Sequence, residues 1–181
     1  MTTLAYDIET DGLNSKRIHC IVTQDVDTGL VEEYNDERYS DDPKDLPMGS
    51  NYSITTAVTS LMSADTIISH NGISYDVPQI EKHYHFFKDR TCEHIDTLIL
   101  SRFYHPNLLD IDLKRKWPGM DAKLYGSHSL EAYGFRLGCR KDAFAKETDW
   151  KEWSPEMQAY CVQDVAILVK LWKHFQKYLN Q

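Results

Sequence analysis

Long apolar runs, internal repeats, low-complexity tracts and paired cysteines are all missing from this sequence, and each absence excludes a class of protein. No apolar stretch approaches the roughly 18 residues that a membrane span needs. Met1 to Glu9 has neither the basic start nor the sustained apolar core of a secretory signal. The expectation is a soluble protein with no membrane partner. Cys20, Cys92, Cys139 and Cys161 are scattered, with no CxxC pair and no disulfide-framework spacing, which fits the reducing cytoplasm. His83, His85, Cys92 and His94 could hold zinc, although HxH and CxH are uncommon spacings; ordinary loop and helix side chains are the alternative.

A basic excess is missing too. The formal charge of −8 argues against a protein that grips nucleic acid through a broad positive face. One stretch runs the other way: Asp110 to Lys146 carries eight basic and five acidic residues, a net +3. It reads either as a solvated surface or as a phosphate contact. The acidic excess elsewhere suits a site that binds cations first and substrate second.

What is present is the composition of a globular protein. A 27% charged and 41% hydrophobic chain of 181 residues is expected to form a single domain over residues 1–181. Leu4 to Glu9, Arg17 to Gln24 and Leu30 to Tyr34 read as strands of an antiparallel meander, with a turn at Asp27-Thr28-Gly29. Asp41 to Ser53 reads as a loop, Ile54 to Met62 as a helix and Thr66 to Ser69 as a short strand. Asp76 to Phe87 is predicted helical, with Asp76 as N-cap and Gln79 completing a capping box. Ile95 to Tyr104 suits either a strand or a helix, and Pro106 to Gly126 reads as a long excursion before a short helix at Ser129 to Leu137. Ser154 caps a final helix that starts at Pro155 and runs to Leu179. Such an order predicts a mixed sheet flanked by helices, an α/β or α+β sandwich.

Three carboxylate positions break the pattern. On the first strand Ala5, Asp7 and Glu9 share one face, so two acids sit side by side on an otherwise apolar strand. They repel unless a cation or proton lies between them, although a DxE alone also suits a strand ending beside the turn Asp11-Gly12. In the final helix Met157, Cys161, Asp164, Leu168, Leu171 and Phe175 form one stripe, and only Asp164 is charged. A carboxylate there needs a cation, a hydrogen bond or a proton. Tyr160 lies one turn earlier, close enough to reach a water or phosphate beside Asp164; a core hydrogen bond is the plainer reading. Asp76 follows Ser69-His70-Asn71-Gly72 and could cap a helix, ligate a metal through water, or both.

Together these segments resemble the DEDD, or DnaQ-like, superfamily of 3′-to-5′ exonucleases. Asp7-Ile8-Glu9-Thr10 matches its DxE motif, His70-Asn71-Gly72 through Asp76 its second motif, and Tyr160 to Asp164 its Y-x3-D motif. Ala159 stands where the histidine form would need His, so the likeness is to the tyrosine branch. A closer likeness is to the proofreading exonuclease domain of family A DNA polymerases from short-tailed phages. It is carried by Tyr75-Asp76-Val77-Pro78, Ile95-Asp96-Thr97-Leu98, and Gly126-Ser127-His128-Ser129-Leu130-Glu131-Ala132; only Thr28 to Asp65 lacks it.

The resemblance implies an α/β ribonuclease H-like fold, a mixed five-stranded sheet flanked by helices. It implies two magnesium or manganese ions about 3.5 to 4 Å apart. Asp7 would bridge them, Glu9 and Asp164 would complete one shell, Asp76 would hold the second ion through water, and Tyr160 would orient the attacking water. Thr10, Leu13 and Asn71 would contact the terminal nucleotide. The substrate would be a single-stranded or mismatched 3′ end of DNA, in replication proofreading or DNA degradation. Any DNA polymerase would act as a separate chain, in the host cytoplasm if the gene is a phage's. RNA, as in RNase D or oligoribonuclease, and a silent adaptor for a replication protein are the alternatives. The purpose of residues 36–53 is unassigned.

Overall fold

A computed structural model of the chain describes residues 1–36, 53–139 and 150–179. Strands β1 (Thr3–Thr10), β2 (Ile18–Asp25) and β3 (Val31–Asn35) form the expected antiparallel meander, each within two residues of its predicted limits. β4 (Thr66–Ser69) and β5 (Glu93–Asp96) add in parallel to the other edge of β1, giving the order β3-β2-β1-β4-β5. β1 is therefore central. Its alternation divides the interior in two. Leu4, Tyr6 and Ile8 pack with α1 (Ile54–Ser63) and α2 (Asp76–His83) on one face. Ala5 faces the other way, into the core that β2 shares with α6 (Pro155–Leu179).

Helix α6 starts where the sequence predicts, with the Met157 amide donating to Ser154 Oγ at 3.1 Å. Its buried stripe includes Met157, Cys161, Asp164, Leu168, Leu171 and Phe175, so the anomaly at Asp164 persists in the fold. No helix among the described residues is long and apolar enough to cross a membrane.

Several local expectations are corrected. Asp76 is the first residue of α2 rather than its cap; Tyr75 occupies the cap position without a side-chain bond. Gln79 does not turn back to form a capping box, because its amide is claimed by the β1–β2 turn. It accepts from Ser15 Oγ at 2.6 Å and donates to the Leu13 carbonyl at 3.1 Å. α2 also stops at His83, and a 3-10 segment, His85–Asp89, follows. The ambiguous Ile95–Tyr104 segment is both candidates in succession. β5 ends at Asp96, whose carboxylate accepts the Leu98 amide at 2.9 Å and starts α3 (Thr97–Tyr104). The excursion 106–126 contains a helix, α4 (Leu108–Arg115), and a 3-10 turn at Ala122–Leu124. α5 (Leu130–Arg136) is capped by Ser129, as predicted. The predicted loop 41–53 lies outside the described residues except for Ser53, which caps α1.

The suggested zinc set does not form. His83 bonds to Ser15 Oγ and His94 to Ser69 Oγ, each at 2.8 Å, and these two residues belong to different elements, α2 and β5. Nor is Arg136 a free phosphate contact. It is nearly buried and holds Asp112, itself fully buried, through two bonds of 3.0 and 2.6 Å. Trp117 Nε1 and the Gly126 amide also donate to Asp112, both at 2.8 Å, while Arg136 Nη1 donates to the Ser127 carbonyl at 2.7 Å. Burial alone would raise the Asp112 pKa, but the Arg136 bonds and the two other donors outweigh it and hold the group below its ordinary value. The clamp fixes residues 117–127 against α5. Removing one member leaves the other charge buried, so Asp112→Ala is expected to lower stability by about 3–5 kcal/mol, checked by urea denaturation.

Candidate active site

The C-terminal half of β1 carries Asp7 and Glu9, opposite Val22 and Cys20 of β2, before the register shifts between Glu9 and Thr10. Both acids are half-buried and stand on the α6 side of the sheet. α6 crosses here with Cys161, whose thiol donates to the Asp7 carbonyl at 3.4 Å and lies 3.7 Å from Asp7 Oδ2. Ligand-type atoms of Asp7, Glu9 and Cys161 all fall within 4.8 Å of one another. Tyr160 and Asp164 flank Cys161 on the helix. With Asp7 they line an open cleft of about 660 Å³.

The second motif forms a tight turn between β4 and α2. Asn71 has a positive φ of 67°, uncommon for a residue with a side chain, and Asp96 holds the turn in place. The two carboxylate oxygens of Asp96 accept the amides of Asn71 at 2.8 Å and Ile73 at 3.2 Å. Gly72 has no room for a Cβ, which would collide with the Ser69 side chain. The turn delivers Asp76 to the edge of the acid group, with the Ile8 amide bonding its carboxylate from between Asp7 and Glu9 in sequence. Asp76 is 4% exposed. Burial, with nearby Asp96 adding to it, pushes its pKa up to about 7 against the opposing amides of Asp76 and Ile8.

The predicted substrate contacts divide. Asn71 lines the cleft. Thr10 is buried, its hydroxyl bonded to Tyr75 Oη at 2.5 Å and to the Gly12 carbonyl at 3.0 Å. Leu13 is 86% exposed on the β1–β2 turn. Other residues of the cleft had no role assigned from the sequence: His70 and Arg102 line it with the turn Gly126 to Glu131, including His128. His128 Nδ1 and Ser101 Oγ are 2.6 Å apart, and Tyr133 Oη lies 2.6 Å from the same serine oxygen. The strings containing these residues carried a signal of likeness, but nothing in their spacing announced that α3 and α5 converge on one cleft.

Whatever the cleft binds meets both carboxylates and basic or imidazole groups. Oxygen-rich side chains such as those of Asp7 and Asp164 suit hard divalent cations.

Comparison with known proteins gives this geometry relatives. The DNA-directed DNA polymerase of Enterobacteria phage T3 is 32% identical over 194 residues, covering 91% of this chain and 25% of the polymerase. That of Escherichia phage T7 is 33% identical over 190 residues, covering 89% and 25%. This chain thus spans about a quarter of the length of these curated relatives. The family B DNA polymerase of the archaeon Pyrobaculum calidifontis shares the fold over 99% of this chain and 25% of its own, with a TM-score of 0.54 at 15% identity. The family model RNase_H_2 matches residues 4–176, a span that takes in β1, the turn before α2 and nearly all of α6, and the chain belongs to the RNase H superfamily.

Proposed function

We propose that the chain is a 3′-to-5′ exonuclease that removes nucleoside 5′-monophosphates from single-stranded or mismatched 3′ ends of DNA. The observation that carries this reading is the meeting of Asp7, Tyr160 and Asp164 in one open cleft that Arg102 also lines. Likeness to phage DNA polymerases favours DNA and makes a polymerase the natural partner.

In this proposal Asp7, Glu9, Asp76 and Asp164 hold two divalent ions, magnesium or manganese. Such ions lower the pKa of an attacking water and stabilise a departing 3′ oxygen. The residues supply the rest. Tyr160, one helical turn from Asp164, directs its phenol at the water and fixes the line of attack. Arg102 offsets charge on the strand, a local need in a chain of net charge −8. Leu13, clear of the core, wedges against the terminal base, while Thr10, its hydroxyl already committed, contributes backbone contacts. Asn71 borders the terminal nucleotide.

Asp7→Ala or Asp164→Ala is expected to abolish magnesium-dependent release of mononucleotides from an end-labelled DNA strand, with the circular dichroism spectrum unchanged. Full activity in either variant refutes the assignment. Tyr160→Phe is expected to lose less, as a positioning group rather than a ligand. Matched DNA and RNA oligonucleotides in the same assay test the substrate class, with faster cleavage of DNA expected.

A second expectation concerns the metal-free protein. Folded Asp76 keeps its proton up to about 7, against an ordinary 3.8, so between these values the native state binds more protons than the unfolded chain. This contribution to stability therefore declines as pH rises from about 4 to about 7, then levels off. Melting temperatures of wild type and Asp76→Asn across that range check it: the variant, which cannot ionise there, should show the shallower decline. Parallel profiles would refute it.

A further inference from the structure

A second cavity, of about 380 Å³, lies between α4, α5 and the later turns of α6. Leu108 and Ile111 of α4, with Trp117 and Tyr133, give it an apolar and aromatic body. Its cationic and imidazole groups are Arg115, Arg136, Lys177, His105 and His174, and none of its described lining residues is acidic. Arg136 is already neutralised by Asp112. Arg115 and Lys177 are exposed and lie over aromatic rings rather than carboxylates, Arg115 at 5.2 Å from Trp117 and Lys177 at 5.6 Å from Tyr178. His105 and His174, Nε2 to Nε2 at 2.9 Å, have pKa values lowered by burial and then by Lys177, that of His174 to about 4. The cavity is thus positive inside a chain of net charge −8. It also draws on the basic stretch from Asp110 to Lys146, none of whose lysines and arginines lines the acidic cleft.

Cavity and cleft adjoin through α5, which gives Leu130 and Glu131 to the cleft and Tyr133 and Arg136 to the cavity. Tyr133 Oη bonds Ser101 Oγ, the partner of cleft-lining His128. Along α6 the step from Asp164 to His174 and Lys177 is about 15–20 Å, at 1.5 Å per residue. A stacked strand covers that distance in roughly five nucleotides. We propose that this cavity is a second subsite for single-stranded DNA, taking a nucleotide several positions to the 5′ side of the end held in the cleft. Trp117 offers the base an aromatic surface, and Arg115 and Lys177 meet the flanking phosphates. Such contacts do not read sequence, as a strand-tracking subsite requires. The inference deepens the exonuclease reading and rests on it for the position of the 3′ end.

The test compares the full chain with the double variant Arg115→Gln/Lys177→Gln, which alters two exposed residues and keeps their aliphatic stems. A labelled dodecamer of thymidylate is titrated by fluorescence anisotropy in EDTA, where no metal-dependent cleavage runs. The variant is expected to bind about tenfold or more weakly at low salt. Its plot of log affinity against log salt should be shallower by about 1.4, or ~0.7 for each lost phosphate contact. Magnesium-dependent cleavage of a trinucleotide, too short to span cleft and cavity, should be equal in the two proteins. Equal dodecamer affinity and slope, or a wild type that does not bind the dodecamer, overturns the inference whatever the cleavage assay shows. A variant that also loses trinucleotide cleavage overturns it, because the cavity is then no separate subsite. So does displacement of the dodecamer by free thymidine monophosphate or by oligoglutamate at equal concentration, which would mark a free-nucleotide or an acidic-peptide site instead. Trinucleotide cleavage absent from both proteins overturns the exonuclease reading and not the binding of a strand.

Discussion

The seam between α6 and the centre of the sheet is the constraint on which the rest of the molecule depends. Ala5, Cys20 and Val22 meet Cys161, Val165 and Leu168 in one buried cluster. Each large apolar side chain there contributes roughly 1.5–3 kcal/mol through burial, enough that the register of helix against strand has little freedom. That register sets which polar groups share the end of the seam. Asp7 and Glu9 continue the inward face of β1 beyond Ala5, and Asp164 continues the stripe of α6 beyond Cys161. The apolar packing therefore brings the acids together against their mutual repulsion.

The electrostatics of the result are uneven. Asp7 and Glu9 keep partial contact with water, whereas Asp76 is almost sealed and its ionisation is pushed to neutral pH. Three elements deliver these groups: a strand, a turn held by Asp96, and a helix. A site assembled from distant parts of the chain is rigid for the reason that each part is fixed by the core rather than by the site. The cleft-lining Gly126 and Ser127 are held independently, by the buried Asp112–Arg136 pair and its ring of donors.

Much of this was legible in the sequence. The alternation of β1, the stripe of α6 and the Ser154-Pro155 start are local signals, and all three survive in the structure because burial follows the same periodicity. Asp7, Glu9 and Asp164 stand out in the sequence because charge interrupts an apolar pattern, whereas Tyr160 follows from its helical spacing to Asp164 and Asp76 from its place in the turn before a helix. What escaped was decided by tertiary competition. Gln79 had the spacing of a capping box, yet the β1–β2 turn offered it better partners. Asp112 and Arg136 looked like surface charges because nothing in a linear reading pairs residues 24 apart. Cys161 passed as one more apolar residue of the helix stripe, and its neighbourhood with Asp7 exists only once helix and strand cross.

The left-handed Asn71 also bears on how the molecule tolerates change. Three amide bonds to the single carboxylate of Asp96 hold the Asn71–Ile73 turn to the start of α3, and Gly72 cannot accept even a methyl group. Asp96 lies on the edge strand, far along the chain from β1 and α6, so an alteration there would tilt Asn71 and Asp76 together without substituting either. Sequence drift in this chain is thus channelled: the interior of the turn is closed to variation, and adjustment of the cleft to new ligands falls to the exposed residues of α3 and α5.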